Sequence, residues 1–126
     1  MHVFVAFDQE GHRYRVGVDS FAEVSLVSPR LIKKHWAVTT GPVVIMRGIG
    51  GGKAVHKQVN VPLRSQWGAP LDELEMFAAE PPNGVDILMG LDIQEKMGAV
   101  IDRRAATVTM LQHKLEIRTD PSPEVT

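Results

Sequence analysis

The sequence contains no cysteine among its 126 residues. That one absence removes a disulfide framework, a thiol nucleophile and a thiolate metal site, and it fits a reducing compartment. A surplus of either charge is also missing: 14 Lys and Arg stand against 15 Asp and Glu, a formal net charge of −1 at pH 7. General nucleic-acid binders and proteins that dock on acidic membranes need extra Lys and Arg, so neither partner is expected. No apolar run approaches the roughly 18 residues of a membrane span, and the N-terminus lacks a basic region followed by an apolar core. The five histidines, at 2, 12, 35, 56 and 113, show no pair at metal-binding spacing and read as surface or structural residues. A soluble protein, or a domain cut from a longer one, is expected.

What is present suits one globular domain, with 44% hydrophobic and 23% charged residues in a chain long enough for a single core. The chain is organised around Val16 to Val27, where an alternating apolar run ends in Asp19-Ser20 and another run follows. If Val16 and Val18 face a core, Asp19 is where the strand leaves the sheet, and its carboxylate emerges at the floor of a cleft. An ordinary Asp-Ser turn between two strands fits the same residues.

Val3 to Phe7 and His12 to Val18 predict a hairpin that delivers Asp19. Glu23 to Val27 resumes alternation, and Ser28-Pro29 reads as the start of a short helix over Pro29 to His35. Val43 to Met46 and Val55 to Leu63 predict a second hairpin with Gly48 to Gly52 at its tip. Residues 64 to 72 read as a loop, Leu74 to Ala78 as a strand, and Pro81 to Gly84 as a turn. Val85 to Met89 is almost wholly apolar, as expected of a strand buried on both faces. Asp92 and Glu95 have capping-box spacing for a short helix that Gly98 can stop. Ala99 to Ile101 and Thr107 to Leu111 read as a hairpin, with Leu115 to Ile117 as a last strand. An all-β domain with one or two short helices is expected over residues 1 to 117, followed by a disordered tail or linker over 118 to 126.

Several chemistries fail on their residues. A phosphate loop would need glycine at Arg47 and Ser or Thr at Ala54, and the dinucleotide pattern finds Lys53 in place of its third glycine. Ser20 lacks the glycine bracket of a nucleophile elbow. What remains is one Asp-Ser after an apolar strand, then a glycine-tipped hairpin, then an apolar strand ending in Gly90. In that order the motifs resemble the retropepsin family of aspartic proteases, those of retroviruses and especially of Ty3/gypsy-type LTR retrotransposons. Asp19-Ser20-Phe21-Ala22 is similar to the family's Asp-Thr/Ser-Gly-Ala, Gly48-Ile49-Gly50-Gly51-Gly52 to its flap tip, and Ile87 to Asp92 to its Ile-Leu-Leu-Gly-Arg-Asp element. Leu91 departs from the family's Arg. Phe21 departs from its glycine.

The resemblance implies an acid-protease fold with a closed barrel, one lobe per chain, and a homodimer in which each subunit supplies one Asp19. A water activated between the two carboxylates would cleave an extended peptide or polyprotein of a retroelement, with no metal or cofactor. Ser20 would brace the catalytic loop, residues 48 to 52 would close over the substrate, and Val43, Ile45, Ile49 and Ile87 would line apolar pockets or else pack in the core. The compartment implied is the cytoplasm or a virus-like particle. Phe21 adds a ring beside each Asp19. It would either narrow specificity or obstruct the cleft, leaving a dimerisation or peptide-binding module.

Overall fold

The computed structural model describes residues 1–46, 53–65, 68, 70–82 and 84–119, with residues 42–46, 53–56 and 72 described by backbone alone. Among them are ten strands, β1 (His2–Phe7), β2 (Arg13–Val18), β3 (Leu26–Val27), β4 (Val38–Met46), β5 (Lys53–Arg64), β6 (Pro70–Ala78), β7 (Ile87–Met89), β8 (Ala99–Asp102), β9 (Thr107–Met110) and β10 (Leu115–Arg118). One α-helix, α1 (Leu91–Met97), lies between β7 and β8. No helix among the described residues is long and apolar enough to cross a membrane.

Period-two patterning places the first hairpin as expected. Arg13 and Arg15 face solvent while Tyr14, Val16 and Val18 are buried, and β2 pairs antiparallel with β1 from His2 opposite Val18 to Phe7 opposite Arg13. The turn is tied from inside by Asp8, whose Oδ1 accepts the N–H groups of Glu10 and His12, both at 2.9 Å. Its Oδ2 accepts the Tyr14 hydroxyl at 2.7 Å and faces the Lys33 ammonium at 2.6 Å. Burial alone would raise the Asp8 pKa. The bonds from Lys33, Tyr14 and the two backbone N–H groups more than offset it and hold the carboxyl well below the usual range.

The large sheet runs β1-β2-β7-β3-β6-β5-β4, and the pair Phe7–Arg64 joins β1 to β5, closing a barrel of six strands with β4 outside it. Phe4, Val16, Leu63, Met76, Ile87 and Met89 are among the residues that fill it. The central feature is β7. It runs parallel to β2, with Val16 opposite Ile87 and Val18 opposite Met89, and antiparallel to β3, with Leu26 opposite Leu88. Its alternate side chains go to two places: Ile87 and Met89 to the main core, Leu88 to a smaller cluster with Leu26 and Ala79. Filling both faces is what demands an uninterrupted apolar run. A second sheet, β10-β9-β8, packs beside α1, which Gly98 ends in the left-handed conformation at φ 61° and ψ 47°.

Four local expectations are corrected. The helix predicted over Pro29 to His35 is a single 3-10 turn, Pro29–Leu31, because the Ser28 hydroxyl donates to Glu80 Oε2 at 2.7 Å instead of capping backbone, and Ile32 is already extended at ψ 125°. The loop predicted over 64 to 72 gives way at Pro70, which pairs with Arg64 across a register shift and starts β6. Glu95 closes no capping box: Gly90 is the N-cap of α1, and the Asp92 carboxylate turns to Ser25. Arg118 belongs to β10 and Thr119 is buried, so the expected tail does not begin at 118. Residues 120–126 lie outside the described residues.

Candidate active site

β2 ends at Val18, and the next residue is held by the strand beside it: the Asp19 N–H donates to the Met89 carbonyl at 3.1 Å. The loop then folds back on its own carboxylate. Asp19 Oδ1 accepts the Phe21 N–H at 2.9 Å, and the Asp19 carbonyl accepts the Ala22 N–H at 3.3 Å. The turn expected of Asp19-Ser20 is present, and it sits directly after β2, where that strand leaves the sheet. Asp19 is half-buried, Ser20 is exposed, and the Phe21 side chain stands 96% exposed. Ala22 and Val24 anchor the far side of the loop against Leu26, Ala79 and Leu88.

The first turn of α1 grips this loop through polar groups, of which Ser25 and Gln94 were not marked by the sequence. The Leu91 N–H donates to the Ala22 carbonyl at 2.8 Å and the Asp92 N–H to the Glu23 carbonyl at 3.2 Å. The Ser25 hydroxyl donates to Asp92 Oδ1 at 2.6 Å and accepts the Gly90 N–H at 2.9 Å. Gln94 Nε2 donates to the carbonyls of Asp19, at 3.1 Å, and Met89, at 2.9 Å. Gly90 leaves no room for a side chain. A Cβ there would overlap the Val24 carbonyl oxygen, and would lie 2.6 Å from the Val24 carbonyl carbon and 2.8 Å from the Ala22 oxygen. Asp19, Ser20, Phe21 and Ala22 are thus brought together as one loop, braced by Ser25, Gly90, Asp92 and Gln94.

The other site expectations fare differently. Ile87 is wholly buried in the main core, so within one chain it packs and lines no open pocket. Gly48, Ile49, Gly50, Gly51 and Gly52 lie outside the described residues. Val43 and Ile45 belong to β4, whose pairing with β5 continues to Met46 opposite Lys53, and their side chains are likewise outside the description.

Away from this loop, Asp8, Glu10 and His12 bring one ligand atom each within 4.8 Å of one another, a gathering that the spacing of the histidines did not suggest. The cation among them is Lys33. Its ammonium lies 2.7 Å from Glu10 Oε1 and also contacts Asp8 and His12 Nδ1.

A one-lobed closed barrel in which β7 passes between β2 and β3, with a short helix behind the Asp19 loop, is a retropepsin-like fold. It aligns with the retroviral protease-like domain of Ddi1 from Leishmania major at a TM-score of 0.61 and 16% identity, over 100% of this chain and 95% of that one. A second solved structure, EIAV protease with a bound inhibitor, aligns at a TM-score of 0.45 and 23% identity, over 81% of this chain and 89% of that one. In sequence, the chain is 29% identical over 126 residues to DNA damage-inducible protein 1 of Candida glabrata, covering 91% of this chain and 28% of that protein. It therefore spans less than a third of that relative's length. No protein-family model matches the chain. The Ddi1 domain shares the retropepsin-like fold, and the Ty3/gypsy branch is not singled out.

Proposed function

We propose that the chain is one subunit of a homodimeric aspartic endopeptidase whose two Asp19 carboxylates activate a water between them. The observation that carries this reading is the setting of Asp19: a half-buried carboxylate at the end of a central strand, its N–H on Met89 and its Oδ1 on the Phe21 N–H. The loop contributes one such carboxylate per chain, and general acid–base chemistry on a peptide bond needs two roles filled at once, so a two-fold axis supplies the second. As in aspartic-protease dyads generally, two carboxylates that close share a single proton. The ionised one takes a proton from the water as its oxygen bonds to the peptide carbonyl carbon. The protonated one supports the developing oxyanion, and a proton then passes to the leaving nitrogen as the C–N bond breaks.

Ser20, exposed on the loop, is assigned to bracing the partner loop across the axis. Val43, Ile45 and Ile49, with Gly48, Gly50, Gly51 and Gly52, are assigned to contacts with an extended substrate that adds as a strand. The substrate is a segment of a retroelement polyprotein. The test is cleavage of an apolar-rich peptide, and of the parent polyprotein, at mildly acid pH. Asp19→Asn is expected to remove cleavage and leave the dimer folded, whereas cleavage that survives the substitution refutes Asp19 as the catalytic residue.

The exposed Phe21 ring favours a second reading, in which two rings obstruct the cleft and the fold serves as a dimerisation or peptide-binding module. Phe21→Gly separates the two. Activity gained from an inactive parent supports obstruction, and an active parent little changed by the substitution removes it.

A further inference from the structure

We infer that Gln94 is a positioning residue for Asp19, a role that rests on Asp19 being catalytic as proposed above. The position is one where an apolar residue is expected. Gln94 lies in the first turn of α1 beside the buried Ile93 and is itself only 8% exposed. A buried carboxamide is unfavourable unless its hydrogen bonds are made, and both of its N–H bonds go to one place. They reach the carbonyls of Asp19, the first residue after β2, and of Met89, the last residue of the parallel strand β7. The Met89 carbonyl also holds the Asp19 N–H. Residue 19 is therefore fixed on both sides, its N–H by Met89 and its C=O by Gln94, and the second bond sets the peptide plane from which Ser20 and Phe21 depart. The Phe21 N–H in turn holds the carboxylate. A planar amide that donates two hydrogens to two carbonyls does what no aliphatic side chain can, which is to couple the pitch of α1 to the torsions of Asp19.

The test compares the parent with Gln94→Met, which fills a similar volume without donors, and with Gln94→Leu. In the dimer, Gln94→Met is expected to lower kcat by about 10- to 100-fold, with KM changed far less, and to move one limb of the pH–rate profile, because displacing a reacting group by about 1 Å has effects on that scale. A readout independent of cleavage is amide hydrogen exchange. The Phe21 N–H is expected to exchange faster in the variant while core amides such as Val16 keep their protection. Unchanged kcat, pH profile and Phe21 exchange overturn the inference. So does a protection loss spread evenly over the core, or failure of both variants to fold, because each makes Gln94 a general packing residue. Asp19→Asn run alongside keeps the two claims apart. If cleavage survives it, the aspartic reading falls, and the Phe21 exchange result still decides whether Gln94 holds the loop.

Discussion

Replacing Gly90 by alanine tests how tightly α1 and the Asp19 loop are fitted to each other. Its backbone, at φ −85° and ψ −173°, is open to any residue, so conformational strain contributes nothing, and removing a glycine from the unfolded chain would by itself stabilise by about 0.4–1 kcal/mol. The opposing effect is contact. The added methyl would overlap the Val24 carbonyl and lie 2.8 Å from the Ala22 oxygen, and these are backbone atoms that cannot swing aside like a side-chain end. Relief requires moving residues 22–24 away from α1. That loosens the bonds from Leu91 to Ala22, at 2.8 Å, and from Asp92 to Glu23, at 3.2 Å, each worth about 1 kcal/mol, on top of an overpacking cost of about 1–3 kcal/mol. The net expectation for Gly90→Ala is a loss of about 2–4 kcal/mol. In a domain of this size that lowers Tm by about 10 °C. Urea unfolding followed by circular dichroism measures it as a lower midpoint at an unchanged slope. A variant within about 0.5 kcal/mol of the parent would show that the loop yields freely and that α1 does not brace Asp19.

Two further outcomes follow from hydrogen bonds that buried groups cannot replace. Asp8→Asn is expected to lower stability by about 2 kcal/mol at neutral pH, the scale of hydrogen bonds to a charged group. Because the folded pKa of Asp8 is depressed, its contribution is fully present above the unfolded value of 3.8 and is lost as pH falls through the folded one, so parent and variant should converge below about pH 4 in acid unfolding curves. A gap that stays constant into acid contradicts that account. Ser25→Ala removes the acceptor of the Gly90 N–H and a donor to Asp92, and is expected to destabilise by about 2–3 kcal/mol in the same urea assay; a near-neutral result means that water satisfies both groups.

The sequence made strands legible wherever one face or both faces were buried. Tyr14, Val16 and Val18 alternate because one side of β2 meets the core, and Ile87 to Met89 run unbroken because β7 meets apolar side chains on both sides. Local signals misled where their atoms had distant partners. Ser28 before Pro29 reads as a helix cap, yet its hydroxyl is taken by Glu80, and Asp92 before Glu95 reads as a capping box, yet its carboxylate serves Ser25. Asp19 could be singled out because its neighbours in the chain form a motif. Gly90 and Asp92 also lie in a motif, but their contact with the Asp19 loop, and that of Gln94, could not be read, because Asp92 and Ser25 are 67 residues apart and Gln94 is 75 residues from Asp19. A polar residue at helical spacing carries no mark of the carbonyl it will meet.

The threading of β7 between β2 and β3 also fixes an order of events on the ribosome. When Glu80 has been joined to the nascent polypeptide, the Asp19 turn exists in full, but Met89, Gly90 and Gln94 have not yet been made. The acidic turn can take its working shape only after the strand and helix encoded some seventy codons later have emerged and slipped into the gap left for them, a non-local step of the kind that slows folding. Synthesis therefore runs well ahead of competence, and a chain cut short before Met89 would carry the Asp19 turn without the means to hold it.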